Sequence, residues 1–325
     1  MKKIRNFFII LNRRGVLALL VAIFYQIKYF FYKNIFSFKF LKKKIYNFKM
    51  FLNLKDKGLS RTLLLFGKRE IDHKLILEKV LKKNMNIFDI GANIGYYALM
   101  QRKLVGHNAK ITAIEPLPDN IKFLKKNLIL NNDNKTKVIE AAVSNKSSYS
   151  YIYKSDYYNL GTLNPEGSSK KFLKKKPIKV KTFSLIELCL KNGFPNLIRM
   201  DVEGHEVKIF DNLITNKKKF KFYPMICFET HLSKYTKKNS MKDKLKKLFE
   251  IGYQVKFASS SSTRGSNIIE KKYKYKPISK TIKTDEEERK IYKYIKNEDA
   301  IDIICKSGGL RTILLSIKQY KWKKK

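Results

Sequence analysis

The sequence predicts an α/β fold with a doubly wound, mostly parallel sheet that follows a helical N-terminal extension. Short apolar runs alternate with helix-like segments from residue 86 onward, and such alternation is typical of parallel strands joined by crossover helices. The 325-residue chain is 44% hydrophobic, which excludes a largely disordered protein. We expect three parts: an extension over residues 1–45, a segment over 46–85 that packs on the core, and a main domain over 86–325.

The first elements lie ahead of the sheet. Residues 46–54 alternate partly and predict a strand, and residues 56–58 predict a turn. Ser60 is a candidate cap for a helix or short turn that leads to Phe66. Residues 72–81 carry apolar side chains at helical spacing, which predicts a helix.

The sheet is predicted from apolar runs, and its helices from the amphipathic stretches between them. Strands are expected at residues 86–90, 110–114, 137–143, 180–183, 197–200, 225–228, 253–257 and 310–317. Helices are expected at residues 96–105, 119–130, 185–191, 206–214, 241–249 and 286–295. The remaining residues predict a polar loop region at 144–176, a mobile loop at 259–265 and an insertion at 267–300.

The strongest motif is a glycine turn, Asp89-Ile-Gly-Ala-Asn-Ile-Gly95, which follows a strand and opens a helix. Gly91 and Gly95 allow the backbone to turn tightly and to approach a ligand without a Cβ clash. The free N–H groups at the start of the helix suit a carboxylate or a phosphate. Because the spacing is G-x-x-x-G, the dinucleotide fingerprint G-x-G-x-x-G is not met.

An acidic residue ends the second strand of the predicted core. Glu115 follows the apolar residues 111–114 and precedes Pro116, which stops the strand. A carboxylate at this place can accept hydrogen bonds from both hydroxyls of a ribose. Together with the glycine turn, Glu115 predicts a site for an adenosine-containing cofactor, whereas a lone Glu115 would equally well cap the next segment.

Four further polar residues follow later strands. Asp201 and Glu203 come after one apolar strand, and Glu229 and His231 come after the next. Because ligands bind beyond the carboxyl ends of the strands in open α/β sheets, these residues are candidate catalytic groups. Crowded carboxylates raise one another's pKa, which suits a general base. The alternative is that Asp201 or Glu203 caps the following helix and that His231 is structural.

The charge balance is strongly basic, with 71 Lys and Arg against 27 Asp and Glu and a net charge of +44. Lysine dominates, whereas specific nucleic-acid recognition usually favours the arginine fork. If the excess of basic residues has a function, it favours attraction to an anionic membrane or polyanion. The alternative is that it has no function. Cys189, Cys227 and Cys305 show neither disulfide nor metal-ligand spacing, which favours a reducing, cytoplasmic setting.

The N-terminal residues combine an apolar stretch with basic flanks. Residues 15–27 are shorter than the ~20 apolar residues of a spanning helix, and no signal-peptide cleavage site follows them. We favour a helix that lies in the membrane interface with its lysines at the headgroups. A full membrane span and a helix packed on the catalytic domain are the alternatives.

Several motifs together resemble the FkbM family of S-adenosylmethionine-dependent methyltransferases: FDIGANIGYYAL, AIEPLPDNIKFLKKNLILNN, AAVS, IRMDVEGHE and FETH. They cover residues 86–258, and the preceding RTLLLFGKREID is also similar. The resemblance implies a class I methyltransferase (Rossmann-like) fold with seven strands, the last antiparallel, a place that residues 310–317 suit. It also implies S-adenosyl-L-methionine as the cofactor and O-methylation of a sugar, glycan or other small molecule.

The resemblance carries over to individual residues. The residues implied to surround the methionine part of the cofactor are Asp89, Gly91, Asn93 and Gly95. Glu115 would hold the ribose, and Asp201 would face the transferred methyl group. Ala142 and Ser144 would lie near the adenine, although the acidic residue that many methyltransferases place there is missing.

We expect an in-line displacement in which the protein positions an acceptor hydroxyl beside the methyl group. Orientation supplies roughly 7–11 kcal/mol, and a base adds about 10²–10⁴-fold. His231 or Asp201 is the expected base. No metal is expected, and a divalent ion on Asp201 and Glu229 is the weaker alternative.

Two other functions stay open. An RNA or other nucleic-acid methyltransferase is favoured by charge alone, but Val-Glu-Gly stands after Asp201 where such enzymes carry an Asn-Pro-Pro-Tyr-type clamp. The second alternative is a catalytically inactive membrane-binding protein that retains the fold.

Overall fold

A computed structural model describes residues 2–35, 39–154, 161–163 and 176–317. The helices are α1 Lys2–Asn34, α2 Leu59–Phe66, α3 Ile71–Val80, α4 Tyr96–Val105, α5 Pro118–Leu130, α6 Leu185–Asn192, α7 Glu206–Thr215, α8 Met241–Glu250, α9 Thr263–Asn267 and α10 Asn297–Asp302. The strands are β1 Phe40–Ile45, β2 Phe48–Asn53, β3 Asn86–Ile90, β4 Lys110–Ile114, β5 Lys137–Ile139, β6 Ala142–Ser144, β7 Ser148–Lys154, β8 Gly161–Thr162, β9 Ile178–Ser184, β10 Leu197–Met200, β11 Met225–Glu229, β12 Tyr253–Ser260, β13 Ile282–Thr284, β14 Glu287–Arg289, β15 Ile291–Lys293 and β16 Leu310–Ile317.

The central sheet has eight strands in the order β15-β12-β16-β11-β10-β3-β4-β5. Strands β11, β10, β3, β4 and β5 run parallel, and β16 is antiparallel to both of its neighbours. This arrangement confirms the α/β, mostly parallel fold class and the antiparallel last strand. The eighth strand, β15, adds an edge beyond the seven that were expected.

The strands of the parallel centre form because most of their residues are apolar on both faces, with Asp89, Arg199 and Glu229 as buried charged exceptions. All four residues of β10 are buried, as are the last four of β3 and of β4. Helices cover both sides of the sheet, and their buried side chains form two large apolar clusters, one on each face. The carboxyl ends of β3, β4, β10 and β11 therefore meet at one edge of the sheet, where the polar motifs begin.

Several sequence predictions outside this centre are wrong. Residues 137–143 are split between β5 in the central sheet and β6 in a second sheet of order β6-β9-β7-β8. The predicted loop region at 144–176 contains strand β7, and its residues 155–160 and 164–175 lie outside the described residues. The predicted mobile loop begins inside β12, where Ser259 and Ser260 are fully buried.

The predicted helix at 286–295 is replaced by strands β14 and β15. Strands β13 and β14 pair through a two-residue turn in which Asp285 and Glu286 both have positive φ. Such a turn matches the twist of a hairpin. It is usually recognised in a sequence by glycine or asparagine, and neither residue stands at positions 285 and 286. A buried ion pair that involves Arg289 of β14 stabilises the strand instead.

That ion pair belongs to a buried charged network between the start of α3 and the β13–β14 hairpin. Arg289 donates to Asp72 at 2.9 Å, with side chains 3% and 0% exposed. Ser259 donates to the other oxygen of Asp72 at 2.6 Å. The carboxylate of Asp285 accepts the backbone N–H of Glu70 at 3.0 Å. Residues distant in sequence are therefore held together beside the sheet by buried charged pairs as well as by apolar packing.

The N-terminal helix α1 is kinked at Gly15, whose φ is 82°. Its part from Gly15 to Tyr32 has a mean hydropathy of 1.6, and 12% of that stretch is buried, so by length and composition it could cross a membrane. The β1–β2 hairpin follows, so that β1 lies in the part expected as an extension and pairs with the next part. The three-part division of the chain stays a prediction.

Candidate active site

A cavity of about 330 Å³ opens at the carboxyl edge of the central sheet. Its walls come from the loops after β3, β4, β10 and β11, joined by residues 69–70 before α3 and by the start of β16. Predicted site residues on its walls are Gly91, Asn93, Glu115, Ala142, Asp201, Glu203, Glu229 and His231. One cavity therefore brings together most of the residues that the motifs singled out.

The glycine turn forms one wall, and its conformation requires glycine at position 91. Gly91 has a φ of 76°, and a Cβ built there would lie 2.2 Å from the carbonyl oxygen of Asp201. Neither backbone can yield at that distance, so the first glycine sets how closely the β3 and β10 loops approach. The N–H of Asn93 points to the carboxylate of Glu115 at 2.9 Å.

Glu115 is fixed by three hydrogen bonds. Besides the bond from Asn93, its Oε1 accepts the N–H of Leu117 at 3.0 Å and the amide of Asn120 at 3.1 Å. The side chain is 4% exposed, and burial raises its pKa. A carboxylate offers about four acceptor positions, so Glu115 retains one for a ligand hydroxyl in the cavity.

Three predicted cofactor-binding residues lie behind the cavity wall. Asp89 is fully buried, with its carboxylate 3.4 Å from a guanidinium nitrogen of Arg199, and burial raises its pKa to about 6. Gly95 starts α4 close to Leu124. The hydroxyl of Ser144 lies 3.0 Å from Nε2 of His205. Their predicted contact with a cofactor stays a prediction, because these residues meet the wall rather than the space within it.

Arg199 links the two halves of the site. Its guanidinium lies 3.4 Å from the carboxylates of both Asp89 and Asp201, and 4.0 Å from the ring centroid of Tyr97. The side chain is 3% exposed. A buried cation at this place keeps Asp201 oriented and compensates part of the negative charge around it.

The second wall is an acidic cluster around His231. Nδ1 of His231 lies 3.0 Å from Glu206, whose side chain is fully buried. Nε2 lies 3.6 Å from Asp201, 3.7 Å from Glu203 and 3.8 Å from Glu229. Four carboxylates thus surround one imidazole, and the structure brings together all four residues predicted as catalytic.

Electrostatics divide the protons unevenly within this acidic cluster. Although burial opposes it, the carboxylates led by Glu206 raise the pKa of His231 to about 10. Burial raises the pKa of Glu203 to about 7 and that of Glu229 to about 8, against the attraction of neighbouring cations. At neutral pH His231 is therefore a cation, whereas Glu203 exchanges a proton readily.

Glu203 is also held in an unusual backbone conformation. Its φ is 53°, and that of the next residue, Gly204, is 94°. A Cβ on Gly204 would lie 2.4 Å from the Cβ of Lys234, so the loop after β10 passes directly over the segment after β11. Left-handed backbone at a non-glycine residue often marks a functional site, where the surrounding structure compensates for the strain.

Sequence reasoning missed the basic half of this wall. Arg69 and Arg311 line the cavity with Glu70. Arg311 lies 2.7 Å from Glu229 and 3.1 Å from Glu70. Burial opposes the shift, but Arg69 and Arg311 hold the pKa of Glu70 well below its ordinary value. The sequence does carry a signal for these basic residues, namely a single charged residue within an otherwise mostly apolar strand. Arg311 in β16 and Arg199 in β10 are examples.

Asp201, Glu229 and His231 each offer one ligand atom, and these atoms lie within 4.8 Å of one another. A metal requires the imidazole to be unprotonated, whereas its carboxylate neighbours favour the protonated form. Arg311 already neutralises Glu229 at 2.7 Å. A divalent cation would thus compete with the proton on His231 and with Arg311 for the same carboxylates, and the expectation that the site uses no metal stays a prediction.

Comparisons with known proteins agree with the motifs. The family model described as the methyltransferase FkbM domain matches residues 89–255, just over half of the chain. This range includes the glycine turn, Glu115 and the whole acidic cluster. No protein of curated function matches the sequence significantly.

Solved structures give more distant similarities. Methyltransferase FkbM from Methylobacillus flagellatus KT is 14% identical, with 72% of this chain and 52% of that chain covered and a TM-score of 0.38. M. jannaschii TYW2 in complex with AdoMet is 13% identical, with 86% and 87% covered and a TM-score of 0.41. A SAM-dependent O-methyltransferase from Thermotoga maritima is 12% identical, with 78% and 67% covered and a TM-score of 0.38. Similarity at this level identifies no substrate.

Proposed function

Because the chain belongs to the FkbM methyltransferase family, we propose that it transfers a methyl group from S-adenosyl-L-methionine to a hydroxyl oxygen of a sugar, glycan or other small molecule. The observation that supports this proposal is the shared cavity. The glycine turn at Gly91, the ribose-type acid Glu115 and the acidic cluster around His231 all open into one space. A cofactor and an acceptor can therefore meet there.

The wall formed by the glycine turn fits the cofactor. When bound, S-adenosylmethionine supplies an electrophilic methyl group on a positively charged sulfur. We assign the backbone at Gly91 and Asn93 to its methionine part, the remaining acceptor position of Glu115 to its ribose, and Ala142 to its adenine. The nearby carboxylate of Asp201 favours a cationic ligand electrostatically.

Glu203 is our candidate for the general base. Its pKa of about 7 lies near neutral pH, where a base accepts and returns a proton most efficiently. The raised pKa of His231 argues against the expected role of the imidazole as base, and Asp201 is engaged by Arg199. In this scheme the oxygen of the acceptor hydroxyl forms a bond to the methyl carbon while the carbon–sulfur bond breaks. Glu203 accepts the proton that this hydroxyl loses.

His231 then has a different role. As a cation among four carboxyl groups it limits their mutual repulsion. Glu206 holds the ring through Nδ1, so that Nε2 faces Asp201, Glu203 and Glu229. This arrangement resembles other sites in which a buried carboxylate orients an imidazole.

We further propose a cytoplasmic location. The cysteines Cys189, Cys227 and Cys305 are free, with the first two buried and the third half-buried. Burial raises the pKa of all three thiols, to about 12, 12 and 11 respectively. Unpaired cysteines of this kind suit a reducing compartment.

Binding and transfer are tested in two steps. Calorimetry with S-adenosylmethionine should give one binding site per chain. Substitution of Glu115 should weaken or abolish this binding. Incubation with methyl-labelled cofactor and a cell extract, followed by mass spectrometry, should then place the label on an oxygen of a small molecule or glycan. Absence of cofactor binding would favour an inactive protein that retains the fold.

RNA is the alternative acceptor, and the net charge of +44 is the observation that favours it. In that case the label should appear in the RNA fraction. Binding to RNA should also weaken steeply with salt, since released counterions drive such association. Label on small molecules together with weak RNA binding would exclude this alternative.

A further inference from the structure

The second part of α1, after the kink at Gly15, exposes a broad apolar surface to solvent. Its exposed apolar side chains are Val16, Leu17, Leu20, Val21, Ile23, Phe24, Ile27, Phe30 and Phe31. Phe24 is 61% and Leu20 57% exposed. We call this set the α1 apolar face. Contiguous apolar surface of this kind usually marks a binding surface in a soluble domain.

The opposite side of the same helix packs on the protein. Leu19 and Ala22 are buried there, and Tyr25, Tyr29 and Tyr32 pack against the core cluster. These residues recur every three or four positions, which places them on one stripe. The α1 apolar face therefore lies away from the domain.

Specific polar contacts hold this stripe in place. The hydroxyl of Tyr29 donates to the carbonyl of Leu54 at 2.8 Å. Nζ of Lys43 lies 3.6 Å from the ring centroid of Tyr25. Because these partners belong to the β1–β2 hairpin and its surroundings, the helix cannot cross a bilayer while it keeps them. A helix that keeps them can only lie along the surface of a bilayer.

Charge selects the kind of surface. Residues 1–55 contain 13 Lys and Arg and no Asp or Glu. Lys39, Lys42 and Lys44 are exposed just after the helix, and Arg61 of α2, also exposed, donates to Gln26 of α1 at 3.4 Å. Each basic residue near an anionic membrane adds to the electrostatic attraction. A neutral partner would gain nothing from this excess.

From these observations we infer that the α1 apolar face docks in the interface of an anionic lipid bilayer. The apolar side chains enter the acyl boundary, the flanking lysines and arginines meet the headgroups, and the tyrosine stripe stays on the protein. The inference does not depend on methyl transfer, because it rests only on α1 and its neighbours.

Vesicle flotation of the full chain tests this inference. Vesicles of phosphatidylcholine mixed with phosphatidylglycerol should carry the protein upward, and vesicles of phosphatidylcholine alone should carry much less. The double variant Leu20→Asp with Phe24→Asp should lower the partition coefficient by roughly 100-fold or more, because two large apolar side chains become charged. Cofactor binding by calorimetry verifies that the variant is folded.

A matched control uses exposed apolar residues elsewhere. Ile129 and Leu190 are 75% and 66% exposed on α5 and α6. The double variant Ile129→Asp with Leu190→Asp adds the same charge, and it should float with anionic vesicles like the parent. An equal loss in both double variants would show that net charge alone drives binding, which would overturn the role of the α1 apolar face.

Three other outcomes would also overturn the inference. Parent protein that does not float, or that floats equally with neutral vesicles, would remove the anionic bilayer as partner. A parent that is dimeric in sedimentation equilibrium, and monomeric in the Leu20→Asp with Phe24→Asp variant, would assign the face to a second copy of the chain. Retention on native membranes after alkaline extraction would indicate a full span.

Discussion

The two walls of the cavity are built in different ways. The wall formed by the glycine turn consists of backbone and one acid, held by hydrogen bonds between residues close in sequence, such as Asn93 and Glu115, 22 positions apart. The acidic wall gathers charges from across the chain, since Arg311 contacts Glu70 over 241 positions. The first wall depends on shape, and the second depends on a balance of charge.

The two walls are therefore sensitive to different substitutions. The wall formed by the glycine turn is disrupted when a side chain is added, because the turn has no room for it. A charge-built wall fails when one partner is removed, because the remaining buried charges lose their compensation.

The largest effect is expected from Gly91→Ala. The new Cβ would lie 2.2 Å from the carbonyl of Asp201 at a φ of 76°, so cofactor binding should be lost. Gly106→Ala is the matched control: its φ is 82° and no atom lies within 4 Å. The control should lose only the strain of positive φ, about 1–3 kcal/mol of stability, and keep its affinity. Calorimetry and urea unfolding measure both, and equal loss of affinity would contradict the shape argument.

Glu203→Gln tests the charge wall. Loss of the base should lower kcat by about 10²–10⁴-fold, whereas affinity for the cofactor should stay near that of the parent. In the parent, kcat should rise with pH through about 7, as Glu203 loses its proton. The variant should lack this rise. A variant that keeps both the rate and the pH profile would transfer the base role to another residue.

Glu115→Gln tests the wall formed by the glycine turn, and a smaller effect on cofactor affinity is expected. The amide keeps the shape but loses the charge, so affinity for S-adenosylmethionine should fall by about 10- to 100-fold, as for one hydrogen bond to a charged group. The value of kcat at saturating cofactor should change little. A fall in kcat at unchanged affinity would mean that Glu115 serves the acceptor instead.

His231→Gln is expected to act on stability rather than on cofactor affinity, and its effect depends on pH. The folded-state pKa of about 10 lies above the ordinary 6.5, so the stabilisation by His231 is complete below 6.5 and is lost as pH rises through 10. The parent should therefore lose stability over this range by on the order of a few kcal/mol more than the variant. Urea unfolding at several pH values measures the difference, and parallel curves would contradict it.

Three strands of the parallel centre could be predicted from the sequence to the residue. Strands β3, β4 and β10 match their predicted bounds because each is a short, mostly apolar run next to turn residues. The prediction failed at residues 286–295, where glutamates and lysines favour a helix locally. There a buried pair between Arg289 and Asp72, 217 positions apart, decides for a strand.

The candidate site divides in the same way. Gly91 and Glu115 were found from local spacing, and both line the cavity. Arg69 and Arg311 were missed, because their contribution depends on which carboxylates the fold places beside them. The family resemblance implies Ser144 beside the adenine; its strand β6 belongs to the second sheet, and its hydroxyl lies 3.0 Å from Nε2 of His205, so this assignment stays a prediction.

The buried network of Asp72, Arg289 and Asp285 bears on attempts to shorten the chain. Although the family model matches from residue 89, a fragment that starts there and keeps the rest of the chain would leave the buried Arg289 without Asp72. Removing one member of such a pair costs about 3–5 kcal/mol, a large share of the stability of any domain. A shortened or chimeric protein should therefore keep both the segment that contains Asp72 and the β13–β14 hairpin together with the region that the family model matches.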